Sequence, residues 1–325
     1  MPDNPFISII IPTYNRAHLL PLTLDSFLAQ SYPWDRYEII VSDNNSLDNT
    51  REVAARYVGN SDVPIRYLSE QRQGVHYARN SAAKLAIGDI LYFTDDDMIA
   101  DKDLLKEIIK PFAIDEKVAN VTGKVLPKWE IPPPDWVLEL CNNGLLSLMD
   151  RPEDLVISSV NCDVYSCHQA IKRDVFFQSG GYNPENTAGE WVGDGETGLN
   201  IKIRQLGYKF AYIGSSIIFH IIPPTRMTQV YLNKRMANQG NCDCYTAYRE
   251  NSYDTTALYN TIIGHFWSFI KNSLMYIALR LFTKNGWRMC RAYMSYFCSR
   301  VSYDRRLIND ESWRKIVLKN DWLQE

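Results

Sequence analysis

The chain has 325 residues, 46% of them hydrophobic, enough to bury the core of one large domain or of a domain with an appendage. A formal net charge of −3 gives no global attraction for nucleic acid, and an odd, scattered set of seven cysteines suits a reducing compartment better than a disulfide framework. No basic segment precedes the first apolar run, which is itself too short for a signal peptide, so a cytoplasmic protein is the expectation.

The run 6-FISIIIP-12 is Ile-rich and ended by proline, as a buried parallel strand would be. After the polar turn 13-TYNRAH-18, residues 19–30 place apolar side chains at helical spacing. A second strand over 37-YEIIVSD-43 ends in the turn 43-DNNSLDNT-50; a helix follows at about 51–57, and 65-IRYLSE-70 reads as a third strand. The helical stretch 77-YARNSAAKLA-86 leads into 89-DILYFTDDD-97. Strands alternating with helices predict an α/β fold with a largely parallel sheet, whose ligands bind beyond the carboxyl ends of the strands. Residues 13–16, Asp43 and residues 95–97 should then share one edge. Neither a dinucleotide fingerprint nor a P-loop is present.

The segment 126-LPKWEIPPPDWV-137 is expected to be a loop crossing the sheet. Next, 170-AIKRDVFFQSGGYN-183 reads as a strand, a short helix and a glycine turn. In 193-GDGETGLNIKIRQLGYK-209, Leu199, Ile203 and Leu206 predict a helix closed by Gly207, and the strand 211-AYIGSSIIFH-220 ends before Pro223 and Pro224. The tail reads as helical. Tyr259, Ile263, Phe266, Ile270, Leu274, Ile277 and Leu281 form one face, and Thr261, His265, Ser268 and Asn272 another. His265, Lys271 and Asn272 interrupt the run, so a membrane-spanning helix is not expected. Residues 259–306 carry a local +7 against −10 for the remainder, a basic and aromatic-rich segment suited to an anionic surface.

Three consecutive carboxylates at 95–97 repel one another. They are tolerable as a solvated turn in which Asp97 or Asp101 caps a helix, or as a site that a cation completes. Mg²⁺ takes one or two protein carboxylates together with phosphate oxygens. With Asp43 and Arg79 on the same edge, a nucleoside diphosphate and its metal fit the second reading.

Five pieces, 9-IIIPTYNR-16, 39-IIVSDNNSLDNT-50, 73-QGVHYARNSAAKLAIGDILYFTDDD-97, 170-AIKRDVFFQSGGYN-183 and 193-GDGETGLNIKIRQLGY-208, resemble in order the family 2 glycosyltransferases, inverting nucleotide-sugar enzymes of the GT-A fold. The resemblance covers roughly the first 225 residues and implies an α/β GT-A catalytic domain over 1–237. That domain would divide into a nucleotide-sugar half (1–125) and an acceptor half (126–237), with a helical extension over 238–325. By resemblance, Pro12, Thr13, Tyr14 and Arg16 would line the base pocket, Asp43 would hydrogen-bond the base, and Arg79 would approach the diphosphate. Asp95 would face the ribose, with Asp96 beside it on the nucleotide, and Asp97 would hold Mn²⁺ or Mg²⁺ with His220.

The family's catalytic base lies eleven residues before a Gly-aromatic pair. Counting back from Gly207 and Tyr208 gives Glu196, with Asp194 as the alternative or as an acceptor-binding residue. Gly195 and Gly198 stand where the family often has acids, and 167-CHQ-169 replaces its usual small residues. Arg226 and His76 are further candidates for the donor. The implied donor is a nucleoside-diphosphate sugar, a UDP-sugar favoured, and the acceptor a glycan or a lipid-linked glycan of surface polysaccharide assembly. The competing classes are a nucleotidyltransferase and a non-catalytic sugar-nucleotide binder. The tail admits two readings: a cap whose apolar face is buried on the catalytic domain, or helices that also rest on the inner leaflet through Lys284, Arg288, Arg291, Arg300, Arg305 and Arg306.

Overall fold

The computed structural model describes residues 4–140, 143–160, 162–184 and 194–324; Gly193, which opens the last of the five motifs, lies outside them. The first half alternates β1 (Ile7–Thr13), α1 (Leu20–Leu28), β2 (Tyr37–Asp43), α2 (Thr50–Tyr57), β3 (Ile65–Ser69), α3 (Val75–Leu85), β4 (Ile90–Thr94) and a short β5 (Met98–Ala100). β1, β2 and β4 are buried at every position, which explains their Ile-rich, non-alternating sequences; the polar exceptions Ser8 and Glu38 are paired, Ser8 Oγ donating to Glu38 Oε1 at 2.6 Å. The second half contains α4 (Leu104–Ile108), α5 (Lys110–Ile114), β6 (Val118–Trp129), α6 (Asp135–Leu140), β7 (Leu155–Ser158), β8 (His168–Lys172), α7 (Arg173–Gln178), α8 (Gly195–Gln205) and β9 (Lys209–Ile222). Four helices follow: α9 (Gln229–Asn251), α10 (Thr255–Phe282), α11 (Trp287–Asn309) and α12 (Glu311–Val317).

All nine strands form one sheet in the order β3-β2-β1-β4-β8-β6-β9-β5, with β7 also paired to β9. β1 runs parallel to β2 and β4, so the turns after all three open on one edge, as the alternation requires. β8 is antiparallel to β4 and β6 and joins the two halves. Met98 of β5 pairs antiparallel with His220 of β9, which brings the far end of the second half beside the three aspartates.

The expected loop over 126–137 is corrected in its first part. β6 continues through Trp129, because its residues 124–129 pair with residues 217–222 of β9. Pro127 is tolerated because β8 pairs with β6 only at Asn120 and Val121, and the further bridge between Val125 and Met149 is isolated and ends before the proline. Leu199 and Ile203 of α8 are fully buried, whereas Leu206 lies past the helix end and is exposed.

The tail departs from the buried-cap reading. Leu232 and Met236 of α9 join the main core, but Cys244, Tyr245 and Tyr248 pack with Leu258, Tyr303, Leu307, Trp313 and Val317 in a second, smaller one. The boundary at 237/238 therefore falls inside an unbroken helix, where its packing passes from one core to the other. α10 turns its polar stripe toward α11, with Thr261 Oγ1 donating to Asp304 Oδ2 at 2.8 Å. Its apolar stripe faces outward: Ile263 is 56%, Trp267 65%, Leu274 64% and Leu281 75% exposed. Several of the basic residues are tied down, with Arg288 over the Trp136 ring, Arg306 over Trp313 and Arg300 donating to the Tyr296 hydroxyl. Among the described residues no helix is long and apolar enough to cross a membrane.

The register of β6 makes Gly123 obligatory, since a Cβ there would lie 2.3 Å from Ser216 O and 2.5 Å from His168 Nε2. Gly123→Ala should lower stability by about 1–3 kcal/mol through overpacking, read as an earlier urea midpoint. An unchanged midpoint would contradict this packing.

Candidate active site

The turns after β1 and β2 are stitched together. Asn15 adopts a left-handed conformation (φ 52°), its N–H donates to Ser46 Oγ (2.9 Å), and its Oδ1 accepts from Leu47 N–H (2.7 Å). This leaves Pro12, Thr13, Tyr14 and Arg16 on the wall of a 540 Å³ cavity beyond the strand ends. Asp43 is at the expected strand end but does not line the cavity. Its buried carboxylate accepts from Ser46 N–H (2.9 Å) and the Tyr67 hydroxyl (2.7 Å). The neighbouring Asn44 lines the cavity instead and accepts from Gly74 N–H (2.6 Å), fixing the start of α3.

Each aspartate after β4 has its own cation. Asp95 accepts from Arg79, which is buried in α3 against His76 Nδ1 (3.2 Å) and lies over the Tyr182 ring. His76 stacks on Tyr182 with centroids 4.7 Å apart, and burial, then Arg79, holds its pKa well below the ordinary value. Arg16 Nη1 bridges Asp96 Oδ1 and Asp97 Oδ2, both at 2.8 Å. Arg226, in the turn after β9, donates to the same Asp97 oxygen at 2.8 Å. Burial pushes Asp96 up to about 6 against the pull of Arg16, and Asp97 adds to the rise. Burial acts on Asp97 in the same direction, yet the Arg226 and Arg16 guanidiniums, each 2.8 Å away, keep its carboxyl below the usual range.

His220 is buried behind this group and does not line the cavity. Its Nδ1 donates to Leu146 O (2.9 Å), and its Nε2 accepts from Arg226 while facing Asp97 Oδ2 at 3.6 Å. A guanidinium can only donate, so Nε2 carries the lone pair. A carbonyl-anchored imidazole aimed at a carboxylate is the usual preparation for a metal ligand. The donor pair of Asp97 oxygen and His220 nitrogen, 3.6 Å apart, fits a divalent cation of the Mn²⁺ or Mg²⁺ type, which would take over the charge now met by Arg226.

Glu196 also lines this cavity, from the first turn of α8, with Ser166 Oγ donating to its Oε2 at 3.4 Å. Asp194 points away, into a separate 200 Å³ cavity, where it accepts from Asn183 (2.6 Å) and Thr246 (3.4 Å). Burial raises its pKa. This placement accounts for two glycines. A Cβ at Gly198 would lie 2.1 Å from Asp194 Oδ1, and Gly195 has φ +46°. The unusual 167-CHQ-169 lies in the core. Tyr92 donates to His168 Nδ1 (2.6 Å), and the Tyr182 hydroxyl donates to Gln169 Oε1 (2.6 Å).

One cavity thus brings together Pro12, Thr13, Tyr14, Arg16, Arg79, the three aspartates and Glu196, together with His76 and Arg226. The sequence reading missed Asn44, Gln73, Ser166 and Arg235 as lining residues. Gln73 opens one of the five motifs and could have been found there. Arg235 sits on α9, which carries no motif.

A sheet of this order, with one acidic edge and flanking helices, has the architecture of the GT-A glycosyltransferases. The solved mannosyltransferase PcManGT from Pyrobaculum calidifontis, in complex with GDP-Man and Mn²⁺, is similar over 93% of this chain and 88% of its own, with a TM-score of 0.63 at 20% identity. A sequence model of glycosyl transferase family 2 matches residues 8–177, just over half of the chain, and the chain belongs to that family. Glycosyltransferase AglE of Haloferax volcanii is 38% identical over 93 residues, 29% of this chain and 31% of its own length. The O-antigen chain rhamnosyltransferase RfbN of Salmonella typhimurium is 30% identical over 217 residues, 66% of each chain.

Because the folded Asp96 binds its proton more tightly than the unfolded chain does, the native state holds extra protons between 3.8 and about 6. Stability of the ligand-free protein should therefore fall as pH rises through that window, by an amount on the order of 3 kcal/mol. Asp96→Asn should flatten this slope in urea unfolding measured across the window. An unchanged slope would place the titration elsewhere.

Proposed function

We propose that the chain is a metal-dependent, inverting glycosyltransferase that moves a sugar from a nucleoside-diphosphate sugar to a glycan or lipid-linked acceptor in surface polysaccharide assembly. The observation that carries this reading is the single cavity lined by both the arginine-bound aspartates and Glu196. In it, Tyr14 and Asn44 would border the base, and Arg79, Arg16 and Arg226 would meet the diphosphate. Mn²⁺ or Mg²⁺ held by Asp97 and His220 would add positive charge at the leaving group. Glu196 would take the proton of the acceptor hydroxyl as its oxygen attacks the anomeric carbon on the face opposite the diphosphate. The bond to the diphosphate breaks, and the configuration inverts. Asp194, turned away from the cavity, would fix the start of α8 and thereby the position of Glu196. The similarity to RfbN supports a polysaccharide acceptor.

A panel of nucleoside-diphosphate sugars with Mn²⁺ tests this reading, and it should include GDP-mannose beside UDP-sugars. Slow release of free nucleoside diphosphate is expected, suppressed by chelator and by Asp97→Ala. Glu196→Gln should slow transfer by about 10²–10⁴ with donor affinity unchanged, whereas Asp194→Asn should act mainly on stability. Pyrophosphate release, or binding without turnover, would overturn the assignment.

The division of labour we propose gives catalysis to residues 1–237 and docking to the helices from 238 on. The exposed stripe of α10 would rest on an anionic leaflet, with Trp267 and Phe266 entering the interface and the flanking Lys271 and Arg280 each contributing about 1 kcal/mol near anionic headgroups. The support is the outward apolar stripe itself. The protein should co-sediment with anionic vesicles, less so at high salt. Changing Trp267 and Leu274 to Gln should abolish this while sparing hydrolysis of the free sugar nucleotide. A wild type that ignores such vesicles at low salt would remove the docking role.

A further inference from the structure

We propose that Cys244, His265 and Asp304 form a Zn²⁺ site that staples the three long C-terminal helices together, apart from the cation expected at Asp97. The three side chains come from α9, α10 and α11, one each, and their ligand atoms all lie within 4.8 Å of one another. Nothing in the sugar-transfer reading uses them. Zn–N and Zn–O bonds of about 2.0–2.2 Å and a Zn–S bond of about 2.3 Å, at tetrahedral angles, set ligand atoms about 3.3–3.7 Å apart. His265 Nε2 and Asp304 Oδ2 are already 3.6 Å apart, and the sulfur needs to close by at most about an ångström.

One of the three groups is unsatisfied without a cation. Cys244 and Asp304 are buried, and His265 Nε2 is buried with no hydrogen-bond partner among the described residues. A buried polar nitrogen left unpaired is costly. Burial, then Arg300, pulls His265 down to about 4, so the ring is neutral and has a lone pair to give. Burial pushes the Cys244 thiol up, so on binding its proton must leave to solvent as the thiolate coordinates. Thiolate, carboxylate and neutral imidazole then cancel the two positive charges of zinc, and an uncharged centre suits the interior. Thr261 Oγ1 donates to the Asp304 carboxylate at 2.8 Å and would orient it as an outer partner. Arg300, whose carbonyl accepts from Cys244 Sγ at 3.7 Å, lies close enough to favour the thiolate.

The location gives the site its purpose. The second core holds eight buried residues, few to fix helices of 23, 28 and 23 residues, and a metal is a common supplement to a small core. The staple sits behind the outward stripe of α10 and would hold that helix at a fixed angle to the catalytic domain.

Co²⁺ titration of the full chain is the decisive test, because a thiolate-to-cobalt charge-transfer band reports a sulfur ligand and the Asp97–His220 pair has none. The metal-free wild type should take up one equivalent with that band and lose it to Zn²⁺. Zn²⁺ should raise Tm by several degrees. Band and Tm rise should both vanish in Cys244→Ser and in His265→Gln and persist in Cys242→Ser. A wild type without the band, or a band that survives Cys244→Ser, overturns the proposal. Should Cys244→Ser not fold, a band that survives Asp304→Asn with unchanged affinity overturns it equally.

Discussion

Three adjacent carboxylates at the end of a buried strand are the constraint around which the cavity beyond the sheet is arranged. Each is met by an arginine from a different part of the chain: Arg79 from α3, Arg16 from the turn after β1, and Arg226 from the turn after β9. Such pairs do not stabilise a fold by much, because the desolvation of both partners offsets their attraction, but losing one partner leaves a buried charge uncompensated. The three contacts therefore tie residues 16, 79 and 226 to one point more firmly than their net energy suggests. They also gather three guanidiniums at the mouth of the strand ends, so the charged edge is held together without any ligand.

The start of α8, which brings Glu196 to the cavity, is built by exclusion. Asp194 turns inward beneath α8, and the glycine at 198 exists because that carboxylate fills the space a side chain would take. Glu196, two residues on, then projects to the cavity side of the same helical turn. Within the core, His168 and Gln169 are likewise satisfied by buried hydrogen bonds, beside the buried Cys167.

The C-terminal helices are an integral part of the molecule. Arg249 Nη1 donates to Val317 O and Lys319 O, Lys202 Nζ donates to Gly181 O and Asn320 O, and Trp322 N–H donates to Gly180 O. The end of the chain thus returns to the glycine turn before α8, and α9 contributes Arg235 to the cavity. Movement of these helices would be felt at Glu196.

The sequence by itself determined the elements whose signal is local. Short apolar stretches, Ile-Ile-Ile in β1 and Ile-Ile-Val in β2, marked these strands to within a residue, since a strand buried on both faces has no need of alternation. The same alternation of strands and helices placed the acidic edge, because parallel connections put all those turns on one side. What crosses the sequence at long range was not legible. β6 was missed over Pro127 because only pairing with β9 makes a proline-bearing segment a strand. The inward turn of Asp194 was decided by Asn183 and Thr246, and the detachment of Asp43 from the cavity by Tyr67. The amphipathic pattern of α10 was plain in the sequence, but periodicity states only that two faces differ. Which one is buried was settled by α11, whose Asp304 draws the polar stripe inward and leaves the apolar one outside.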